Sequence, residues 1–283
     1  MKKYSYILLL LPFLIVVGLY ELAPIVSIFV SSFKSADSVA FNFSLEHYHK
    51  AFTSKFYLLA IKNSGIIAVL STILGLIGGL FGAFAIYSSQ GELRKFFVNI
   101  VNMASNFQGV QLAFAFMIML GNAGTFILLG EKMGFNFLKE FDLYSVTGIM
   151  LTFVYFQIPL AIILLYPAFD RVQSQYIEAA ELMNCGGMKF WRHIGLPIIL
   201  PNIFATVSVL FANAFAAYAT PYALVGNNFA LLPIRISTMF QGEAIPRPEF
   251  GSALSVIMLS AIAIVSMLAT LATRLTNKGG LYE

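Results

Sequence analysis

Long apolar stretches alternate with short polar ones along the whole chain. About 20 apolar residues in a helix cover the hydrocarbon core of a bilayer, and six stretches reach that length. The predicted spans lie at about residues 6–30, 63–88, 97–120, 144–166, 198–224 and 252–273. The pattern predicts an all-α polytopic membrane protein with six transmembrane helices, in which residues 1–283 form a single transmembrane domain.

The composition excludes an ordinary soluble domain. Hydrophobic residues make up 59% of the chain and charged residues only 11%, whereas a typical soluble domain has about 25% charged residues. The single cysteine, Cys185, excludes a disulfide within the chain. The net charge of +4 is small and dispersed, so no basic stripe indicates a nucleic-acid partner. The G-x-G-x-x-G and P-loop patterns are absent, which argues against a nucleotide site on this chain.

A polar, amphipathic insert at residues 170–197 separates the fourth span from the fifth. Its backbone and charges would be unsatisfied in lipid, so it is expected to project from the membrane. The first part has helix-forming composition, and four of its residues share one face at three- and four-residue spacing. These residues are Tyr176, Ala179, Ala180 and Met183.

Asn184, Gly186 and Gly187 interrupt this helical pattern, since all three tolerate a left-handed backbone. A second amphipathic run at 188–194 leads to Leu196 and Pro197, and proline suits the entry of the next helix. The insert is therefore predicted to form a rigid projection of two short helices joined by a turn. A partner protein could bind such a projection and move it.

The insert resembles the EAA loop of binding-protein-dependent ABC importer permeases. The residues that fall on that pattern are Glu178, Ala179, Ala180, Ile194, Leu196 and Pro197. Asn184 stands where the pattern has glycine, and Cys185 stands where it has alanine. Two further runs, at 109–116 and 210–215, resemble segments of permeases from spermidine/putrescine-type systems.

This resemblance implies the MetI-like fold of type I ABC importer permeases, with a cytoplasmic coupling helix between spans 4 and 5. The chain would form half of the translocation pathway for a small solute. Its partners would be a homologous second permease subunit, two ATPase subunits, an extracytoplasmic substrate-binding protein and membrane lipid, without nucleic acid. ATP and magnesium would bind to the partner ATPase, so this chain would hold no cofactor and would not itself be an enzyme. It would be a multi-pass protein of the bacterial inner (cytoplasmic) membrane with both termini cytoplasmic.

The resemblance also assigns particular residues to ATPase coupling. The Glu178 carboxylate would meet a basic residue in a groove of the ATPase, and the face of the first loop helix would fill that groove. The coupling residues are Tyr176, Glu178, Ala179, Ala180, Met183, Asn184, Gly186, Leu196 and Pro197.

Polar residues inside otherwise apolar helices indicate where a translocation path runs, because polar side chains are costly against lipid. The candidate path residues, with two aromatic neighbours, are Gln108, Gln111, Gln157, Asn213, Phe215 and Tyr218. Hydrogen bonding between helices, worth about 0.6 kcal/mol on average, is an equally weighted alternative for the polar ones.

Three other features leave alternatives open. Four glycines of the second span have overlapping G-x-x-x-G spacings, which serve packing either within the chain or against a second subunit. They are Gly75, Gly78, Gly79 and Gly82. Glu21 is expected to be an interfacial carboxylate, with a contact to a partner or substrate as the lesser alternative. His47 and His49 lack a third ligand nearby, so neither a metal site nor a catalytic residue is predicted.

Orientation and substrate are the least constrained features. Lysine and arginine divide almost evenly between the two sides, so the cytoplasmic orientation rests on Lys2 and Lys3 before the first span. A self-sufficient secondary transporter or channel is an alternative function, but such carriers have ionisable residues near mid-span that this chain lacks. The resemblance favours a polyamine or another organic or mineral ion, and a sugar-type importer is the alternative. Phosphonate, ferric ion and thiamine stay open as substrates.

Overall fold

Helices form nearly all the regular structure of the computed structural model, which describes residues 5–35, 42–134, 141–241 and 246–279. Lys2 and Lys3 lie outside the described residues. The α-helices in these ranges are α1 Ser5–Val17, α2 Ala23–Ser31, α3 Glu46–Thr53, α4 Lys55–Ser88, α5 Gly91–Asn106, α6 Val110–Leu120, α7 Thr125–Met133, α8 Val146–Phe169, α9 Ser174–Leu182, α10 Gly187–Phe190, α11 Leu196–Phe215, α12 Ala219–Val225, α13 Leu232–Gln241 and α14 Pro248–Gly279. The π-helical segments Gly18–Leu22 and Trp191–Gly195 join α1 to α2 and α10 to α11.

Six helical stretches of the described residues are long and apolar enough to cross a membrane. They are Leu10–Ser31, Lys55–Ser88, Val110–Met133, Val146–Phe169, Gly187–Asn228 and Pro248–Thr276. The prediction of an all-α polytopic membrane protein with six transmembrane helices is confirmed.

The third span differs from its predicted bounds of 97–120. Those residues form two helices, α5 and α6, with a break at 107–109. Gly109 at the start of α6 has a φ of 78°, a conformation that glycine adopts without a steric penalty. Helix α5 is amphipathic and buries none of its residues. The apolar crossing therefore begins at Val110 and extends through α7 to Met133.

Contacts between Cα atoms divide the chain into two units. The first comprises Met1–Ile61 and Ala230–Ser260, and the second comprises Lys62–Phe229 and Ala261–Glu283. Helices α4 and α14 contribute residues to both units.

Aromatic rings hold the first unit together around Phe250. His47 on α3 is buried, its ring contacts that of Phe250, and its Nε2 lies 2.9 Å from the backbone oxygen of Lys34. His47 is thus accounted for by packing and one hydrogen bond.

Arg235 packs against an aromatic ring of the same unit. Its guanidinium lies over the Phe56 ring at 4.1 Å from its centre. Burial lowers the pKa of Arg235 from its ordinary value, because it disfavours the charged form.

Glycines in the second unit bring α4 directly against α8. A Cβ atom placed on Gly75 would lie 2.6 Å from the Cβ of Gln157, and one on Gly79 would overlap Ala161. The other two glycines that face α8 in this way are Gly78 and Gly82. Small residues at this spacing let helix backbones approach closely. Of the two alternatives for the glycine-rich span, the structure shows packing within the chain.

Candidate coupling surface and translocation path

The loop of residues 170–197 rests on a hydrophobic core at the ends of α4, α8 and α11. Buried members of this core include residues of the loop itself, together with residues of the three helices. They are Ala83, Ala161, Leu165, Ala168, Phe169, Val172, Ala180, Phe190, Ile199, Ile203 and Leu210. The loop is therefore part of the folded body rather than a free connection.

Polar contacts at the start of the loop reinforce this support. The Tyr87 hydroxyl donates a hydrogen bond to the backbone oxygen of Val172 at 3.1 Å. Nη2 of Arg94 donates to both carboxylate oxygens of Asp170, at 2.8 and 2.6 Å. The two side chains are 35% and 41% exposed, so solvent screening limits this ion pair to about 0–1 kcal/mol. The pair joins α5 to the end of α8, where the loop begins.

A Schellman motif ends the first loop helix, α9. The amide of Asn184 donates to the backbone oxygen of Glu181, and the amide of Cys185 donates to that of Ala180, both at 2.9 Å. Asn184 has a φ of 55°, the left-handed conformation that this motif requires. The side chain of Cys185 packs against the core described above. The left-handed turn predicted at Asn184 is confirmed.

Gly186 and Gly187 do not share that conformation. Gly186 has a φ of −64° and a ψ of 151°, which is ordinary extended backbone. Neither glycine has a positive φ, and a Cβ on either would meet nothing within 4 Å. The helix is interrupted here as predicted, but the backbone of Gly186 and Gly187 is not left-handed, because the single residue Asn184 completes the turn.

Three large apolar side chains project from the end of this loop, and we call them the apolar tip. Leu182 is 90% exposed, Met183 is 82% exposed and Met188 is 85% exposed. Leu182 and Met183 lie before the end of the Schellman turn and outside every apolar stretch, whereas Met188 lies after it, at the start of the stretch Gly187–Asn228. Exposed apolar patches with polar surroundings mark sites of contact with other proteins or with a membrane. Glu178 and Ala179 are also exposed on α9.

The predicted coupling face on α9 is divided between the interior and the surface. Ala180 is 5% exposed and belongs to the core, and Tyr176 is half-buried against that core. Ala179 and Met183 remain on the surface. Two of the four residues assigned to a partner's groove therefore pack inside this chain. Leu182, which the periodicity placed off this face, is exposed instead.

The second half of the loop runs without interruption into the fifth span. Helix α10, the π-helical segment and α11 follow one another directly, and Pro197 occupies the first turn of α11. Gly195 is buried because the Trp191 ring lies against its Cα, where any Cβ would overlap that ring. Movement of the loop would thus also move the fifth span, because the two are joined by continuous helix.

Two helix breaks within the second unit lie in contact. The first separates α5 from α6 at 107–109, and the second separates α11 from α12 at 216–218. The amide of Gly109 donates to Oγ1 of Thr220, and that hydroxyl donates to the backbone oxygen of Gly109, each at 3.1 Å. In membrane proteins, irregular backbone is tolerated where it is buried in protein or lines a cavity. Discontinuous helices of this kind commonly surround solute sites in transporters.

The candidate path residues separate into two groups around these breaks. Gln108 and Gln111 are exposed beside the first break. Asn213 and Tyr218 are half-buried near the second, where the rings of Tyr218 and Tyr222 stack with centres 4.9 Å apart. These positions remain candidates for the path.

Gln157 and Phe215 do not line an open path in this structure. Gln157 is 0% exposed, and its Nε2 donates to the backbone oxygen of Leu210 at 2.7 Å. Phe215 is buried and stacks on Phe211. For Gln157 the structure supports the alternative of hydrogen bonding between helices, here between α8 and α11.

Sequence reasoning missed Thr220 and Leu182. Thr220 is followed by Pro221, and a proline in an apolar run signals a helix start or break. This pattern indicates a helix break near Thr220, but it does not indicate that Thr220 contacts Gly109, because the two residues are 111 positions apart. No local signal identifies Leu182, because its exposure depends on how α9 rotates against the core.

Comparisons with known proteins agree with this architecture. No family model matches the chain. The "Spermidine/putrescine transport system permease protein PotC homolog" of Mycoplasma genitalium is 25% identical over 205 residues, covering 72% of this chain and 67% of the relative. The crystal structure of a bacterial ABC transporter "involved in the import of the acidic polysaccharide alginate" matches with a TM-score of 0.77 and 17% identity, covering 96% of both chains. The chain has the fold of an ABC importer permease.

A second structure of the alginate ABC transporter, "in complex with alginate pentasaccharide-bound periplasmic protein", matches with a TM-score of 0.74 and 16% identity, covering 97% of this chain and 96% of that one. The resemblance to ABC importer permeases that the loop indicated is confirmed. ABC importer permeases work with ATPase subunits and a periplasmic binding protein. The six apolar helices and these relatives indicate a multi-pass protein of the bacterial inner membrane.

Proposed function

We propose that this chain is a permease subunit of an ATP-driven importer and that its 170–197 loop couples it to an ATPase. The observation that carries the proposal is the apolar tip, which is fully exposed yet mounted on a buried aromatic and aliphatic core. A loop that binds a moving partner must expose apolar surface to that partner and must keep its conformation when the partner moves. The loop meets both requirements.

In this proposal the ATPase subunits bind ATP and magnesium, and this chain binds neither. A homologous second permease subunit completes the pathway, and a substrate-binding protein delivers the solute from outside. Closure of the ATPase subunits moves the loops, and rigid-body movement of the helices alternates access to the path. The chain is helical without a break from Met188 to Phe215, so a displacement of the loop would also displace the fifth span. This continuity supports the proposed coupling.

The solute is proposed to be a polyamine or another small organic ion. The PotC homolog supports a polyamine, whereas the alginate transporter, of the same fold, is named for an acidic polysaccharide. Stacked tyrosines at the second helix break support an organic cation, since aromatic faces attract cations by about 0.5–2 kcal/mol. A sugar-type importer is the alternative.

Reconstituted vesicles test the coupling proposal. The importer, comprising this chain, its second permease and its ATPase, is placed in vesicles that receive the binding protein with labelled spermidine. Uptake should require ATP inside and should be lost in Leu182→Glu, because burying a leucine contributes about 1.5–3 kcal/mol. Leu93→Glu is the control, since Leu93 is 55% exposed on α5, outside both the loop and the apolar stretches. Uptake that continues without the ATPase subunits would overturn the proposal.

A further inference from the structure

An apolar groove lies beside the coupling loop, between the ends of α4, α8 and α11. Its volume is about 720 Å³, and carbon atoms line nearly all of it. That size falls within the roughly 300–1,000 Å³ of ligand-binding pockets. Ile77 and Phe81 of α4 form one wall, and Met188, Trp191 and Leu196 form the other.

The groove opens onto the exposed surface of the apolar stretches. Phe81 is 73% exposed and Ile77 is 48% exposed, although both lie inside a transmembrane stretch. Ile77 is 11 residues before the end of α4, which places it about 16 Å below that end at 1.5 Å per residue. The groove therefore extends from the loop along about 16 Å of α4, a length that suits an acyl chain.

One cation marks the end of the groove beside the loop. Arg192 lines it and is exposed to solvent. Within the part of the chain that the structure describes, no carboxylate forms an ion pair with Arg192. Trp191 lies next to it, and tryptophan is enriched where the hydrocarbon layer meets water. An arginine beside an apolar groove at this level fits a phosphate group with an attached chain.

The shape of the wall depends on Gly195 and on the π-helical segment. The Trp191 ring can lie flat along its own helix only because Gly195 has no side chain. The ring also contacts Phe84 and Tyr87 of α4 and Phe169 of α8. The wall is thus a packed and fixed surface. Its residues lie on the same continuous helical segment as Met188 of the apolar tip.

We propose that this groove binds one anionic phospholipid, with an acyl chain between α4 and α11 and its phosphate on Arg192. The bilayer supplies this occupant, and the unpaired cation supplies the preference for negative charge. A zwitterionic lipid offers the same phosphate but no net negative charge, so it should compete less well beside the exposed Arg192. A helix of another subunit is the alternative occupant. A bound lipid would fill the space behind Met188 and Trp191 and so stiffen the loop against movement.

Photolabelling in the assembled importer tests this proposal. The importer is placed in nanodiscs that contain phosphatidylglycerol carrying a diazirine near the end of one acyl chain. After illumination, labelled peptides of this chain are identified by mass spectrometry. Label should be found at residues 77–84 and 188–199. Unlabelled phosphatidylglycerol should compete about fivefold better than phosphatidylcholine, which is the preference that one basic side chain provides at an anionic surface.

Two matched pairs of variants make the result specific. Arg192→Gln should abolish the preference for phosphatidylglycerol, whereas Arg274→Gln, an exposed arginine outside the groove, should retain it. Ile77→Phe should reduce labelling by filling the groove. Ile73→Phe should not, because Ile73 is equally exposed on α4, at 48%, but does not line the groove.

Equal competition by the two lipids would overturn the proposal. Absence of label from both groove segments would overturn it as well, and would assign the groove to a neighbouring subunit of the importer. Neither result depends on transport activity, so each is distinguishable from failure of the proposed importer function.

Discussion

At the scale of single residues, Glu178 carries the coupling hypothesis. Its carboxylate is exposed on α9, beside the exposed Ala179. Glu178→Ala is expected to weaken ATPase binding and lower ATP-driven uptake, because loss of one partner from a desolvated charge pair costs about 2–5 kcal/mol. Membrane insertion should be unchanged, since the residue lies outside every apolar stretch. Co-purification of the ATPase and vesicle uptake measure the two effects.

Glu181→Ala is the matched control for this substitution. Glu181 is exposed on the same helix one turn later, and its backbone oxygen keeps its bond to Asn184 after the change. It should retain ATPase binding. Full binding and uptake in Glu178→Ala, or equal losses in both variants, would remove the special role assigned to Glu178.

Asn184 allows a test of loop rigidity. A φ of 55° costs an L-residue roughly 1–2 kcal/mol because its Cβ crowds the backbone, and alanine lacks the short polar side chain with which asparagine offsets that cost. Asn184→Ala should therefore open the turn more often and raise amide hydrogen exchange at Cys185, whose amide bonds to Ala180, by about tenfold. Asn184→Gly should leave the exchange near the native rate. Equal exchange in the two variants would show that the turn does not depend on this backbone conformation.

At the scale of elements, the crossing of α4 over α8 is predicted to tolerate no added volume. Gly79→Ala places a Cβ against Ala161, and overpacking of this kind costs about 1–3 kcal/mol. The thermal midpoint of the detergent-solubilised protein should fall. Gly65→Ala is the control on the same helix, because a Cβ there meets nothing within 4 Å. A midpoint that falls equally in both variants would attribute the effect to the helix itself and not to the crossing.

The junction of the two helix breaks makes a second prediction for elements. Thr220 is buried and satisfies both the amide and the carbonyl of Gly109. Thr220→Val keeps the shape but leaves the half-buried Gly109 amide unpaired, which costs up to about 1–3 kcal/mol. The Gly109 oxygen still accepts from the Ala113 amide. Stability and uptake should both decrease, whereas Thr220→Ser should preserve them. If valine behaves like serine in thermal unfolding, the two breaks are not held together by this hydroxyl.

At the scale of the whole molecule, we predict that all six apolar stretches cross the membrane, so that both termini and the 170–197 loop lie on one side. We predict that this side is the cytoplasm. A fluorescent protein fused after residue 283 should be bright, and alkaline phosphatase inserted at Gly186 should be inactive. Phosphatase inserted at Gly134, one crossing away, should be active. The reverse pattern would invert the topology and would rule out the loop as an ATPase contact.

Much of the architecture could be predicted because it depends on local properties of the chain. Crossing a bilayer requires about 20 apolar residues in a row, so the number of spans follows from composition along the chain. The projection at 170–197 follows from the cost of charges in lipid, and the turn at Asn184 follows from the steric freedom of asparagine. These requirements do not depend on which other residues lie nearby.

Other features depended on contacts between distant residues. Gln157 is polar in an apolar helix, which fits either a solute path or a hydrogen bond, and only the position of Leu210, 53 residues away, decided for the bond. The break between α5 and α6 lies where Gly109 bonds to Thr220, 111 residues away, and no local pattern indicates that contact.

The coupling loop divides in the same way between sequence and structure. The sequence determined that α9 is an amphipathic helix ended by Asn184, because periodicity and backbone preference are properties of consecutive residues. The tertiary structure decided which face is available, since the core beneath the loop buries Ala180 and leaves Leu182 and Met183 exposed. It also created the groove beside Trp191, whose walls come from three helices that only packing brings together.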